Sequence, residues 1–323
     1  MRVAVSSGHA ESESILVIKL GALGDFVLAG GPCAAIRAHH PTARIILLTS
    51  RPYVALAQAT PWFDEIWVDQ RPKLWQWRKT LHLRGLLRDE GFSRVYDLQT
   101  SDRSSWYFRL LGGRASGLDW SGIAAGCSHP HSNPQRDFQH TIDRQAEQLL
   151  MAGIPSVPSP QEAWAGVAAD PASSYPELSG PFALLVPGGA AHRPGKRWPA
   201  DHYGTLAQAI LARGLVPVLL GTGAEQEQIA QVQALCPQAI SLCGRTGFLD
   251  LLALGRRAAF AVGNDTGPMH LLAAAGCACV VLFSQESNPD LCAPRGAVQI
   301  LQRKVLSDLG VEEVLSALAE LKG

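Results

Sequence analysis

The feature that most constrains this chain is an alternation, repeated along its length, of short runs of branched apolar residues with turns and helical stretches. The first run, residues 15–20, reads Ile-Leu-Val-Ile-Lys-Leu and is too continuous for a strand with one wet face. Such runs mark strands covered on both faces, as in parallel sheets. A turn at residues 21–24 follows, and Asp25 opens a helical stretch reaching about His39. The pattern returns with strands predicted at residues 44–48, 65–68 and 94–98, and helices at 52–59, 74–89 and 103–111. Strands alternating with helices imply right-handed crossovers and a doubly wound α/β sheet.

Residues 154–181 break the rhythm with Pro155, Pro158, Pro160, Pro171, Pro176 and Pro181. Proline at this density removes backbone donors and stops a continuous helix or central strand. The segment reads as a Pro-rich interdomain linker, with room for a short strand near residues 163–167. A second alternating series follows, with strands at 182–186, 216–220, 239–242, 259–262, 279–283 and 298–301. Helices are predicted at 200–213, 224–235, 248–256, 268–275 and 307–321. The expected organisation is therefore a disordered leader over 1–14 and a first Rossmann-like domain over 15–153. The linker and a second such domain over 182–306 follow, with a closing helix over 307–323.

At 323 residues the chain is about twice the size of one ordinary domain, which agrees with two halves. Its 28 basic and 28 acidic residues cancel, which argues against a general nucleic-acid binder. No stretch has the roughly 18 consecutive apolar residues of a membrane-spanning helix, and the first 14 residues lack a signal-peptide apolar run. The seven cysteines contain no CxxC pair, so zinc-ribbon and thioredoxin-type readings fall away and a reducing cytoplasm is the simplest compartment.

Three strand-to-helix junctions carry chemistry. Lys19-Leu20-Gly21-Ala22-Leu23-Gly24-Asp25 lies at the carboxyl end of the first strand, the edge that faces the ligand crevice in open α/β sheets. Asp25 there is either a helix cap or a carboxylate aimed at a substrate as general base. Residues 186–199 form a long connection in which Gly188, Gly189 and Gly195 allow a backbone cradle. Arg193, Lys196 and Arg197 supply its positive charge, as a phosphate site would need, although the spacing is not that of a Walker loop. Gly263-Asn264-Asp265-Thr266-Gly267-Pro268-Met269-His270 offers a hydroxyl and helix-start N–H groups to an anion. Its single Asp-Thr-Gly in an α/β chain excludes an aspartic protease, which needs two. Gly221-Thr222-Gly223 opens like a dinucleotide fingerprint but carries Gln226 where the third glycine belongs. Glu225 beside it either favours its helix N-terminus or bonds ribose hydroxyls.

Other residues read as structural. His39–His40 and His129/His131 lack matching ligands at metal spacing, so no metal site is expected. Trp75 and Trp77 read as packing residues. Residues 71–114 hold ten Lys and Arg against four acidic residues, which reads as a solvated face or as a surface for an anionic acceptor or acidic membrane.

Together the three junctions, in order and spacing, resemble the bacterial heptosyltransferase family, glycosyltransferase family 9. The markers are Leu23-Gly24-Asp25, Pro187-Gly188 with Lys196-Arg197-Trp198-Pro199, and Asp265-Thr266-Gly267 with His270. The resemblance implies a GT-B architecture, two Rossmann-like doubly wound domains facing a central cleft, with the closing helix crossing back to the first. It implies inverting, metal-independent transfer of heptose from ADP-heptose to an acceptor hydroxyl, usually in the lipopolysaccharide core. No cofactor beyond the nucleotide sugar is implied.

Carried over by motif, Asp25 would be the base, and Lys19 and Gly24 would meet the acceptor. Lys196, Thr266 and the Gly267 backbone would hold the diphosphate, helped by Gly188, Gly189 and Glu225. Asp265 would organise its loop or contact the donor sugar, and His270 would buttress it. A glycan acceptor, no nucleic acid, and peripheral contact with the cytoplasmic face of the inner membrane complete the expectation. Ala190 and Ala191, where relatives often carry hydroxyls, Gly21-Ala22 in place of serines, and the insertion-like residues 192–195 depart from the family pattern. A nucleotide-sugar epimerase and a non-catalytic nucleotide-sugar-binding protein are the alternative readings.

Overall fold

The computed structural model describes residues 2–4 (backbone alone), 13–71, 76–169, 175–189 and 193–321. The chain divides into two compact units, Met1–Val167 and Ala168–Gly323, with the division inside the expected linker.

In the first unit the described strands are β1 (Arg2–Ala4), β2 (Ser14–Ile18), β3 (Arg44–Thr49), β4 (Glu65–Val68), β5 (Arg94–Asp97), β6 (Asp119–Gly122) and β7 (His129–Pro130). They form one sheet in the order β1-β4-β3-β2-β5-β6-β7. Every pairing is parallel except β1 with β4. The helices are α1 (Leu23–Leu28), α2 (Gly30–His39), α3 (Val54–Gln58), α4 (Trp77–Asp89), α5 (Asp102–Leu110), α6 (Thr141–Met151) and α7 (Pro160–Ala165). Ile15, Leu16, Val17 and Ile18 are all 0% exposed, so β2 is covered on both faces as its continuous apolar run requires. Each such side chain stabilises the fold by about 1.5–3 kcal/mol relative to exposure. The connections run from β2 to β3 and β4 on one side, then return to β5 on the other. The loop after β2 therefore leaves the sheet where the strand order reverses, the position at which open α/β sheets bind ligands outside the strands' carboxyl ends.

The second unit repeats the scheme. Its described strands are β8 (Phe182–Val186), β9 (Val216–Leu219), β10 (Ile240–Ser241), β11 (Ala261–Asn264), β12 (Cys279–Phe283) and β13 (Val298–Gln302). They form an all-parallel sheet ordered β10-β9-β8-β11-β12-β13. The helices are α8 (Ala200–Ala212), α9 (Gln226–Leu235), α10 (Phe248–Arg257), α11 (Gly267–Ala274), α12 (Pro289–Cys292) and α13 (Val311–Glu320). Here β8 and β11 bracket the reversal, so the loops after them flank one crevice.

Several expectations need correction. The leader is not wholly without structure, because Arg2–Ala4 pairs antiparallel with β4. The helix expected from Asp25 to His39 is two, α1 and α2, meeting at Ala29. The strand expected near 163–167 is the helix α7, for which Pro160 takes the first turn, where its missing N–H costs nothing. Ser159 caps it with Glu162, and Trp164, fully buried, donates to the Val27 carbonyl over 2.9 Å. Residues 154–167 thus belong to the first unit rather than to a free linker.

The closing helix α13 buries Val314, Leu315, Ala317 and Leu318 in the core of the second unit, beside α8 and β12. Trp77 is not a packing residue: it is 59% exposed. Trp75, Ala190, Ala191 and His192 lie outside the described residues.

Candidate active site

In the first unit the sequence brings the loop after β2 into a fixed bed. The Leu20 N–H donates to Gln99 Oε1 over 2.8 Å, and the Leu20 carbonyl accepts from Ser50 Oγ at 2.7 Å and from Arg71 Nη2 at 3.1 Å. These partners stand at the ends of the neighbouring strands β5, β3 and β4. Gly21 has φ +123°, and a Cβ there would lie 2.7 Å from the Tyr53 ring, which stacks on Phe26 at 5.1 Å. Only glycine allows both the turn and that close approach. Asp25 sits in the first turn of α1 and accepts the Ala22 N–H over 3.2 Å through Oδ2. The capping reading of Asp25 is thus realised, and the half-exposed carboxylate keeps its other oxygen for further contacts. Gly24 is half-buried beside it.

Lys19, expected to meet the acceptor, lies beneath the loop instead. It is 4% exposed, and its Nζ donates to the Leu98 carbonyl over 3.0 Å. Burial pushes its ammonium down from the ordinary lysine value, with the Asp25 charge opposing. Asp97, also buried, is pushed up to about 6 by desolvation, even though its Oδ1 accepts the Gln99 and Thr100 N–H groups. Arg144 on α6 feels the Asp25 charge as well: burial and the neighbouring Arg136 lower it, and Asp137 and Asp25 oppose.

In the second unit a pocket of about 340 Å³ opens at the carboxyl edge of the sheet. Its walls include Gly188, Gly189, Thr222, Glu225, Phe248 and Thr266. A Cβ on Gly188 would fall 2.7 Å from the Glu225 side chain, so the glycine makes room there. Glu225 Oε2 accepts both the N–H and the hydroxyl of Thr222, at 2.8 and 2.6 Å. Its helix-start role is realised, while the residue still lines the pocket. Lys196 Nζ meets Asp265 Oδ2 at 2.7 Å, and Ser287 Oγ donates to the same oxygen at 2.7 Å. Asp265 therefore organises its loop through Lys196. Thr266 stands at the start of α11, its hydroxyl turned to the Asn264 carbonyl at 3.1 Å, and Gly267 opens the helix. Pro268 brings no N–H to this helix start. His270 is buried within α11.

Asn264 was not singled out by the sequence reading, yet it ties these loops together. Its Nδ2 donates to the Pro187 and Gly188 carbonyls, at 2.8 and 2.9 Å. Its Oδ1 accepts from the Trp198 N–H and the Tyr203 hydroxyl, both at 3.1 Å. With 0% exposure, this amide has its hydrogen-bonding capacity filled from segments some 60–77 positions away. The signal was its place between Gly263 and Asp265, at the end of an otherwise apolar strand. Ser287, Tyr53, Arg71, Gln99 and Arg144 were missed as well, and none belongs to a short motif. Among the described residues, no group of three or more His, Cys, Asp or Glu could hold a metal ion. No helix there is long and apolar enough to cross a membrane.

The chain is 32% identical over 114 residues to lipopolysaccharide heptosyltransferase 2 of Escherichia coli (strain K12), a match covering 33% of the chain and 32% of the relative. It is 25% identical over 126 residues to lipooligosaccharide heptosyltransferase 2 of Haemophilus influenzae, covering 36% of each. The chain thus spans about a third of the length of the curated relatives it matches. Among solved structures, the family 9 glycosyl transferase of Veillonella parvula superposes with a TM-score of 0.77 at 21% identity, covering 96% of this chain and 97% of that one. The E. coli ADP-heptose lipopolysaccharide heptosyltransferase II gives 0.76 at 21% identity, covering 95% and 98%. These likenesses establish the two-unit α/β fold of the GT-B heptosyltransferase structures. Residues 80–307, more than two thirds of the sequence, match the family pattern itself, and the chain belongs to glycosyltransferase family 9 (heptosyltransferase).

Proposed function

We propose that this protein moves a heptose from ADP-heptose to a hydroxyl of a lipopolysaccharide-core acceptor, with inversion and without a required metal. The observation that carries the reading is the Lys196–Asp265 pair set beside the glycine-walled pocket and the start of α11. A leaving diphosphate gathers negative charge as the sugar departs. An ammonium and an oriented helix-start N–H stabilise that charge more in the transition state than in the ground state. Lys196 would share its ammonium with the diphosphate, while Asp265 and Ser287 hold the side chain in place. Glu225 and the glycines would receive the nucleoside end. On the acceptor side, Asp25 would take the proton of the attacking hydroxyl as the new bond forms at the anomeric carbon and the bond to the diphosphate breaks. The acceptor is lipid-borne in this reading, so the protein would work as a peripheral visitor to the cytoplasmic face of the inner membrane.

The test is transfer from ADP-heptose by wild type, Asp25→Ala and Asp25→Asn, with ADP binding followed by thermal shift. Loss of transfer with retained ADP binding supports the assignment; full turnover by a folded Asp25→Ala protein removes the carboxylate from the mechanism. Donor conversion in the absence of any acceptor would instead identify an epimerase. Donor binding with no transfer to any core acceptor would identify a binding protein.

A further inference from the structure

On α4 the two faces divide sharply. Leu83 and Leu87, one turn apart, are buried against the sheet. Trp77 and Leu81, also one turn apart, stand on the other side at 59% and 51% exposure. Helical spacing puts Arg88 on the same stripe and Arg78 beside it, and Arg78 lies over the Trp77 ring at 5.2 Å. Lys79 is exposed as well, and none of the ion pairs among the described residues involves Arg78, Lys79 or Arg88. The surrounding residues 71–114 carry ten basic side chains against four acidic ones in a chain of zero net charge. Of those four acids, Asp97 is buried and Glu90 is paired with Arg44.

We infer that this face of α4 docks on an anionic lipid surface. A large indole with a neighbouring leucine, fringed by unpaired cations, suits the headgroup layer: the ring enters the interface and the cations meet lipid phosphates. Two large apolar side chains turned to water on one stripe mark an interaction surface, and the basic fringe around them favours an anionic lipid over an apolar protein groove. The placement also fits. Because α4 follows β4, its first turn stands at the carboxyl edge of the sheet, the edge that carries Asp25 after β2. A lipid-borne acceptor would reach the first unit from that side. The inference rests on the proposed function only in that last respect.

The experiment uses the full chain without donor or acceptor, so its failure leaves the transferase reading standing. Co-sedimentation is measured with vesicles of phosphatidylcholine alone and of phosphatidylcholine mixed with phosphatidylglycerol. Binding should require the anionic lipid and weaken with salt. It should fall about tenfold in Trp77→Ser/Leu81→Ser and again in Arg78→Ala/Lys79→Ala. These positions are exposed, so the fold survives the changes. Lipids brominated along the chain should quench part of the tryptophan fluorescence, and Trp77→Phe should remove that part. Absence of binding to anionic vesicles at low salt overturns the inference. So does binding that both double variants leave intact. Retention only on native membranes that still contain their proteins would assign the face to a protein partner and overturn it equally.

Discussion

The Lys196 ammonium stands 2.7 Å from Oδ2 of Asp265, and both side chains are nearly buried, at 12% and 10% exposure. At that depth the pair is far less screened than a surface bridge, and the carboxylate keeps the cation aimed while no anion is present. Lys196→Met should lower kcat/KM by about 100-fold or more, because it removes charge that acts on the leaving group. Asp265→Asn should mainly raise the donor KM, since the ammonium remains but loses its anchor. Initial rates at varied donor concentration separate the two; an unchanged kcat/KM in Lys196→Met would remove the ammonium from the reaction.

Asn264→Ala should destabilise the second unit by about 3 kcal/mol, because it strands the Pro187 and Gly188 carbonyls and the Trp198 N–H in a dry interior, while the Tyr203 hydroxyl keeps the Val186 carbonyl as acceptor. Urea unfolding monitored over the second unit measures the loss. Asn264→Asp should be no milder, since a carboxylate cannot donate to the Pro187 and Gly188 carbonyls.

Gly21→Ala should cost about 1–3 kcal/mol, from the backbone strain at φ +123° together with the approach to Tyr53. Thermal unfolding checks the stability. Transfer should fall more steeply than the folded fraction, because the loop carrying Asp25 must shift to make room.

The buried Asp97 sets a pH dependence. Its carboxyl is pushed up to about 6 in the fold from an ordinary 3.8, by desolvation first. Between those values the folded state holds the proton and the unfolded chain releases it, so stability falls as pH rises through this window and stays reduced above it. Asp97→Asn keeps an acceptor for the Gln99 and Thr100 N–H groups and removes the ionisation. It should therefore gain stability over wild type at neutral pH, by at most about 3 kcal/mol, and little below pH 4. Denaturant unfolding at both ends of the window tests this; a gap that does not change with pH would contradict it.

The strands 182–186 and 279–283 were legible to the residue because each is an unbroken apolar run, and 65–68 because Ile66, Trp67 and Val68 follow Glu65 as a compact apolar group. The strand β6, Asp-Trp-Ser-Gly, was not, since it carries one large apolar residue and acquires its burial from α6 and β5 after folding. Prolines misled the reading at 154–167, where Pro160 begins a helix instead of preventing one. β11 runs two residues further than expected because Gly263 and Asn264 read as loop. Gly263 is needed in the strand, as a Cβ there would meet Val186 and Met269 within 2.7 Å. In the candidate site, Asp25, Lys196 and Asp265 were readable because each stands in a strand-to-helix junction with a recognisable pattern. Asn264 and Gln99 were not, because each side-chain amide owes its meaning to partners distant in sequence.

The three hydrogen bonds that grip Leu20 have a kinetic meaning. The segment bearing Asp25 is pegged by side chains from three neighbouring loops before any sugar arrives, so its alignment is settled during folding rather than during turnover. Loosening one peg, as in Gln99→Ala or Ser50→Ala, should slow the chemical step while donor affinity stays put, like a vice whose jaw still closes on the workpiece but no longer holds true.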